Sequence, residues 1–160
     1  MEHRSRIPTT NSRRALSLVE LVIVVALISV LAGVALPKWA HSLQKQRAAQ
    51  AARRLAADLN RARSVAYASS RPVTVTFAFS PPGYTIPGVK PLHGSGTYSV
   101  NLADDPFRVR VVSVFGQTTP QTLTFSGYGQ PSRGGEIVVA AGTAAATVSL
   151  DANTGVAVVP

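Results

Sequence analysis

Cysteine is absent from the 160-residue chain, which excludes a disulfide framework, thiolate metal ligation and a cysteine nucleophile. Acidic residues are scarce, seven Asp and Glu against sixteen Lys and Arg, so paired carboxylates for acid–base chemistry have few places to form. The adjacent acids Asp104 and Asp105 precede Pro106 in what reads as a turn. Histidine occurs three times, at His3, His41 and His93, with no metal-ligand spacing between any two. Gly94-Ser95-Gly96 lacks the spacing of a nucleophile elbow and joins no strand to a helix. Aromatics make up 6% of the chain, and Tyr67, Tyr84, Tyr98 and Tyr128 read as packing or rim residues. These absences leave no catalytic constellation, and the sequence implies no enzyme, no metal and no cofactor.

What is present begins with one long apolar run. Leu16 to Leu36 forms 21 residues with a single carboxylate, Glu20, one turn inside its start. A bilayer helix needs about 20 apolar residues at about 1.5 Å rise each, so the run is long enough to span. A charge at mid-bilayer costs about 2.5–3.5 kcal/mol by insertion scales. Glu20, near the end of the run, costs less but still calls for a partner cation. Upstream, Arg4, Arg6, Arg13 and Arg14 face only Glu2, which puts the first residues on the cytoplasmic side and everything after Pro37 outside.

The net charge of +9 is unevenly divided. Residues 38–71 carry Lys38, Lys45, Arg47, Arg53, Arg54, Arg61, Arg63 and Arg71 against Asp58 alone. From residue 72 onward, Lys90, Arg108, Arg110 and Arg133 balance Asp104, Asp105, Glu136 and Asp151. The C-terminal part is therefore neutral, and the positive field sits on the stem joining it to the membrane segment.

Between Pro37 and Ser69 the pattern is helical. Leu43, Ala48, Ala52, Leu55, Leu59, Ala62 and Ala66 recur at spacings near three and four, an amphipathic stripe rich in alanine and free of glycine. Pro37 removes one backbone donor and is expected to kink a helix that continues from the membrane segment. Arg71-Pro72 ends it. The period then changes to two: Val73–Phe79 alternates as a half-buried strand. Further strands are expected at 97–102, 107–115, 121–126, 136–141, 145–150 and 156–159, with 151–155 as a hairpin loop. Loops 80–96 and 127–135 read as the least regular. One helix followed only by strands predicts an α+β domain with its sheet on the stem's apolar stripe.

Ala15-Leu16-Ser17-Leu18-Val19-Glu20 resembles the processing signal of type IV pilins and type II secretion pseudopilins. The resemblance implies that prepilin peptidase cuts between Ala15 and Leu16, that Leu16 is N-methylated, and that Glu20 is the family's assembly glutamate. Ala15 stands where the family carries Gly, and Leu16 where Phe is usual. Pro37 matches the helix-bending proline of many pilins. The cut would free an α-amino group, a cation with a reference pKa of about 7.7–8.0, and a neighbour's Glu20 could pair with it in the bilayer as a docking key. Arg71–Phe77 after the Ala/Arg-rich helix, Leu123–Gly129, and the strand pair around Thr154-Gly155 resemble the GspH/FimT branch of minor pseudopilins.

The expected organisation is therefore a cytoplasmic leader at 1–15, a transmembrane helix half at 16–36, an amphipathic stem at 37–70 and a β-rich domain at 71–160. The fold class is α+β, pilin-like, with an antiparallel domain of about six or seven strands. The implied role is a structural subunit of a type II secretion or type IV pilus filament, anchored once in the bacterial inner membrane. Its partners would be the peptidase, other major and minor pilins or pseudopilins, and membrane lipid. DNA is a further candidate partner, because some relatives in this branch bind DNA during natural transformation. Arg47, Arg54 and Arg61 repeat every seven residues down one helix row, and Arg108 and Arg133 lie in the neutral domain. The tail Thr154–Pro160 carries no Arg, unlike the DNA-binding relatives. A secreted or anchored binding domain behind an ordinary signal sequence, cut near Gly33-Val34-Ala35, is the alternative from another class.

Overall fold

The computed structural model describes residues 17–91 and 96–160, with the side chains of 33–38 left out of the description. The leader, the Ala15–Leu16 junction, His3 and His93 lie outside the described residues. The chain divides into two compact units, Met1–Lys38 and Trp39–Pro160.

Helix α1 comprises Leu18–Ser69, 52 residues. Ser17 stands at its N-cap, its carbonyl accepting the Leu21 N–H at 3.0 Å. In the first unit the apolar side chains from Leu18 to Leu31 are exposed, and Ser29 returns its hydroxyl to the Val25 carbonyl at 2.7 Å. Among the described residues no helix is long and apolar enough to cross a membrane; the run from Leu16 to Leu36 extends beyond them. Pro37 lies within α1.

The far end of the helix closes with its own hydrogen bonds. Ser70 takes a left-handed conformation (φ 51°), its N–H bonding Tyr67 O and that of Arg71 bonding Ala66 O. That pair is a Schellman closure with serine where glycine is commoner. Helix and closure together stop the element just before Pro72, as the sequence requires.

In the second unit the helix packs on two antiparallel sheets. Among the described residues eight strands follow the helix: β1 (Val73–Phe79), β2 (Pro82–Ile86), β3 (Tyr98–Asn101), β4 (Arg110–Val114), β5 (Gln121–Phe125), β6 (Gly135–Ala141), β7 (Ala144–Leu150) and β8 (Ala157–Val158). One sheet runs β3-β2-β1-β5 and the other β4-β6-β7-β8. The strand beyond the expected six or seven is β2, inside the stretch read as irregular. Pro82 opens it as a first strand residue, where the missing N–H does least harm. Gly83 then lies so close to the Val100 carbonyl of β3 that a Cβ would collide with it.

One core joins helix and sheets. The helix contributes Ala48, Ala51, Ala52, Leu55, Ala56, Leu59, Ala62 and Ala66, all buried. Six of these eight are alanines, which let the helix axis approach the strands closely. Phe77, Tyr84, Ile86, Leu123 and Phe125 come from the first sheet, and Val114, Ile137, Val139, Val148 and Leu150 from the second. Leu43 departs from the expected stripe: it is 40% exposed, because the buried part of the stripe begins only at Ala48.

Two polar side chains tie the helix to sheet ends. Asn60 donates to the Ala157 carbonyl at 2.8 Å and accepts the Ala157 N–H at 3.0 Å, imitating a strand neighbour for the short edge strand β8. Gln44 accepts from the backbone and hydroxyl of Thr143 at 3.3 and 3.2 Å, holding the β6–β7 hairpin. The hairpin loop before β8 is closed by Asp151, whose carboxylate accepts from Asn153 N, Thr154 N and the Thr154 hydroxyl.

Candidate functional site

In the N-terminal unit the assembly candidate is Glu20, in the first turn of α1. It is exposed, and among the described residues no hydrogen bond or ion pair engages it. A carboxylate there faces the positive end of the helix dipole, a modest stabilisation. Ser17 and Glu20 have the S-x-x-E spacing of a capping box, a signal the sequence reading missed. The side-chain bonds of such a box are not formed, so the carboxylate stays available.

In the second unit the most concentrated polar chemistry surrounds Asp58. This residue is 5% exposed, the one buried charged residue among the described residues. A single oxygen, Oδ2, accepts the Tyr84 hydroxyl at 2.6 Å, the Tyr98 hydroxyl at 2.7 Å and Arg54 Nε at 3.0 Å. Arg54 also donates Nη2 to the Tyr98 hydroxyl. Helix and first sheet are therefore joined through one carboxylate by three donors on the helix, β2 and β3. Burial pushes the Tyr84 phenol up, and the Asp58 charge pushes it further. Tyr98 is raised by burial and by its bond to Asp58. Burial works against the Arg54 charge, yet the Tyr98 bond and the Asp58 charge outweigh it and raise its pKa. The arrangement is an internal tether between the helix and the first sheet.

This tether carries a pH dependence. Both phenols have folded pKa values above the ordinary 10.0, so the fold holds them neutral. Their contribution is complete below the unfolded pKa of about 10 and is lost as pH rises through the folded values. The expected result is a urea midpoint unchanged by these groups between pH 7 and 9, then falling above about pH 10. Tyr84→Phe should flatten that alkaline decline. Equilibrium unfolding followed by circular dichroism at each pH checks both.

The candidate cations lie in varied surroundings. Arg54 belongs to the tether. Arg61 donates Nη2 to the Lys90 carbonyl at 2.7 Å and lies over the Tyr98 ring, 5.3 Å from its centroid. Arg108 pairs with Asp105 at 2.7 Å on the surface, lowering the Asp105 pKa chiefly through that hydrogen bond. Arg133 donates to Gln121 at 3.2 Å and sits 5.6 Å from the Phe115 centroid. Arg47 lies on the same helix row as Arg54 and Arg61. The heptad spacing thus places two of its three arginines in hydrogen bonds to the β domain, and the charge of Arg47 acts on Asp105. His41 is exposed, and among the described residues no group of His, Asp and Glu is placed to hold a metal ion.

An N-terminal helix that begins apolar with one acid in its first turn, and whose later part packs on antiparallel sheets, defines a pilin-like α+β protein. The family model described as type II transport protein GspH matches residues 51–155, and the one described as the prokaryotic N-terminal methylation motif matches residues 10–36. The chain belongs to the GspH family. No curated protein and no solved structure matches it significantly.

Proposed function

We propose that this chain is a minor pseudopilin or minor pilin, a non-enzymatic filament subunit of a type II secretion or type IV pilus machine. Prepilin peptidase removes residues 1–15, Leu16 is N-methylated, and the run from 16 to 36 anchors the protein in the inner membrane with its β domain outside. Pro37 is the bend between that anchor and the stem. After the cut, Glu20 of one subunit accepts the free amine of the next, and subunits stack through their N-terminal helices. The observation that carries this reading is the methylation-motif match at residues 10–36, followed in the same chain by a GspH match over 51–155. The exposed apolar side chains from Leu18 to Leu31 suit a segment whose partners are lipid and other helices.

A DNA-binding role gains no support from four of the five candidate cations. Arg54, Arg61, Arg108 and Arg133 all hold protein partners, whereas non-specific DNA binding relies on cations free to meet phosphates.

Co-expression with active or inactivated prepilin peptidase tests the processing step. The full chain should shorten by its fifteen leader residues, Met1–Ala15, only with the active enzyme. Ala15→Gly should speed the conversion several-fold, because the family's cleavage position carries Gly. Equal mobility in both strains contradicts the proposal.

A further inference from the structure

The two glycine-bearing segments of the β domain meet at one arginine. A Cβ on Gly155 would lie 2.7 Å from the Gly129 carbonyl oxygen and 3.3 Å from Arg63 Cδ. A Cβ on Gly129, whose φ is +78°, would lie 3.4 Å from Arg63 Cγ. Gly127 is equally confined, since its Cβ would stand 2.8 Å from the Ser70 carbonyl group at the helix end. Glycine at these positions lets both loops close around the Arg63 stem. Arg63 Nε is buried and has no hydrogen-bond partner among the described residues. A buried donor without an acceptor is unfavourable; the loops close over Nε itself, so a partner from outside meets Arg63 where the side chain lines the cleft.

The surroundings show what kind of acceptor. Arg63 lines a cleft of about 220 Å³ with Ser64, Tyr67, Tyr128 and Gly129, and a neighbouring cleft shares both tyrosines. Tyr67 is 68% and Tyr128 85% exposed. The loop bearing Tyr128 is held by Ser126, whose carbonyl accepts Gly129 N at 2.8 Å and whose hydroxyl accepts Gln130 N at 3.2 Å. Two exposed tyrosines beside an arginine, Tyr67 on the helix and Tyr128 on the braced loop, form the combination that concentrates binding energy at protein interfaces. The lining residues contribute one cation and no acid. One guanidinium fork matches one carboxylate, whereas a nucleic acid calls for a series of cations along its backbone.

We propose that the Arg63–Tyr67–Tyr128 notch docks an acidic loop of a second protein, with a Glu or Asp carboxylate seated on Arg63 between the two rings. The notch lies wholly within Trp39–Pro160 and depends neither on leader cleavage nor on Glu20, so its test fails separately from theirs.

The test uses the full chain, ¹⁵N-labelled in non-ionic detergent micelles. The probe is the peptide acetyl-Gly-Glu-Gly-Glu-Gly-amide. Saturable shifts are expected at the Arg63 Nε–H and at the amides of Gly127–Gly129, with at least tenfold weaker binding of the same peptide carrying Gln for Glu. Tyr128→Ser, a change at a side chain in solvent that leaves the fold intact, should weaken binding at least threefold. Three results overturn the proposal: no saturable shift with the glutamyl peptide, equal shifts with both peptides, or tighter binding at the same signals by a dT oligonucleotide or phosphatidylglycerol vesicles.

Discussion

Asp58→Ala will lower the unfolding free energy of the full chain by about 2–4 kcal/mol, because two buried phenols lose their common acceptor. The carboxylate is the common acceptor for two phenols and a guanidinium. Its loss leaves the buried Tyr84 hydroxyl unsatisfied, at about 1–3 kcal/mol, and costs Tyr98 less, because Arg54 still donates to its hydroxyl. Arg54 adds less, because its side chain is 38% exposed and water can reach it. For a domain whose total stability is about 5–15 kcal/mol, that is a large fraction. Tyr84→Phe removes one donor and leaves the other two, so about 1–2 kcal/mol is expected. Urea denaturation of each variant measures these differences; an Asp58→Ala loss under 1 kcal/mol would mean that the tether contributes little.

Glu20→Ala will cut co-assembly with sibling subunits about tenfold or more, equivalent to about 1.4 kcal/mol of lost association energy. Removing a carboxylate makes the N-terminal segment more apolar, so membrane insertion should be retained or improved. Cleavage after Ala15 should also persist, since the peptide bond that is cut remains. On the proposed docking, what disappears is the acceptor for the neighbour's α-amine, and no other carboxylate lies in the apolar run. Co-purification of a tagged sibling subunit from membranes reads the effect. Unchanged recovery would show that Glu20 is solvated at the headgroups and takes no part in docking.

The regular parts of the fold are readable from period alone. Val73–Phe79 alternates cleanly and forms β1 over those same residues. The stem's three-and-four spacing marks Ala48 to Ala66 as the packed face. Leu43 shows the limit of that argument: period places a residue on a face, while burial depends on whether the sheets reach that far. The strand β2 was hidden because Pro81-Pro82-Gly83 carries the signature of a turn, although Pro82 can begin a strand and Gly83 can crowd against β3. Asp58 illustrates non-local chemistry. Its i,i+4 relation to Arg54 is a local helix feature, but Tyr84 and Tyr98 stand 26 and 40 residues away. No helical or strand period encodes that meeting. The same holds for Asn60 and Ala157, 97 residues apart. Glu20 is the opposite case. Its interest follows from being the one carboxylate in a 21-residue apolar run, and no tertiary contact is needed to see it.

The filament account rests on a mature chain that begins at residue 16 with a free, methylated amine. Tandem mass spectrometry of the N-terminal peptide, taken from the protein purified out of its native membranes, tests this most directly. The account predicts a peptide starting at N-methyl-Leu16. A peptide that still carries Arg13 and Arg14, or one that starts at Leu36 after an ordinary signal cut, contradicts it.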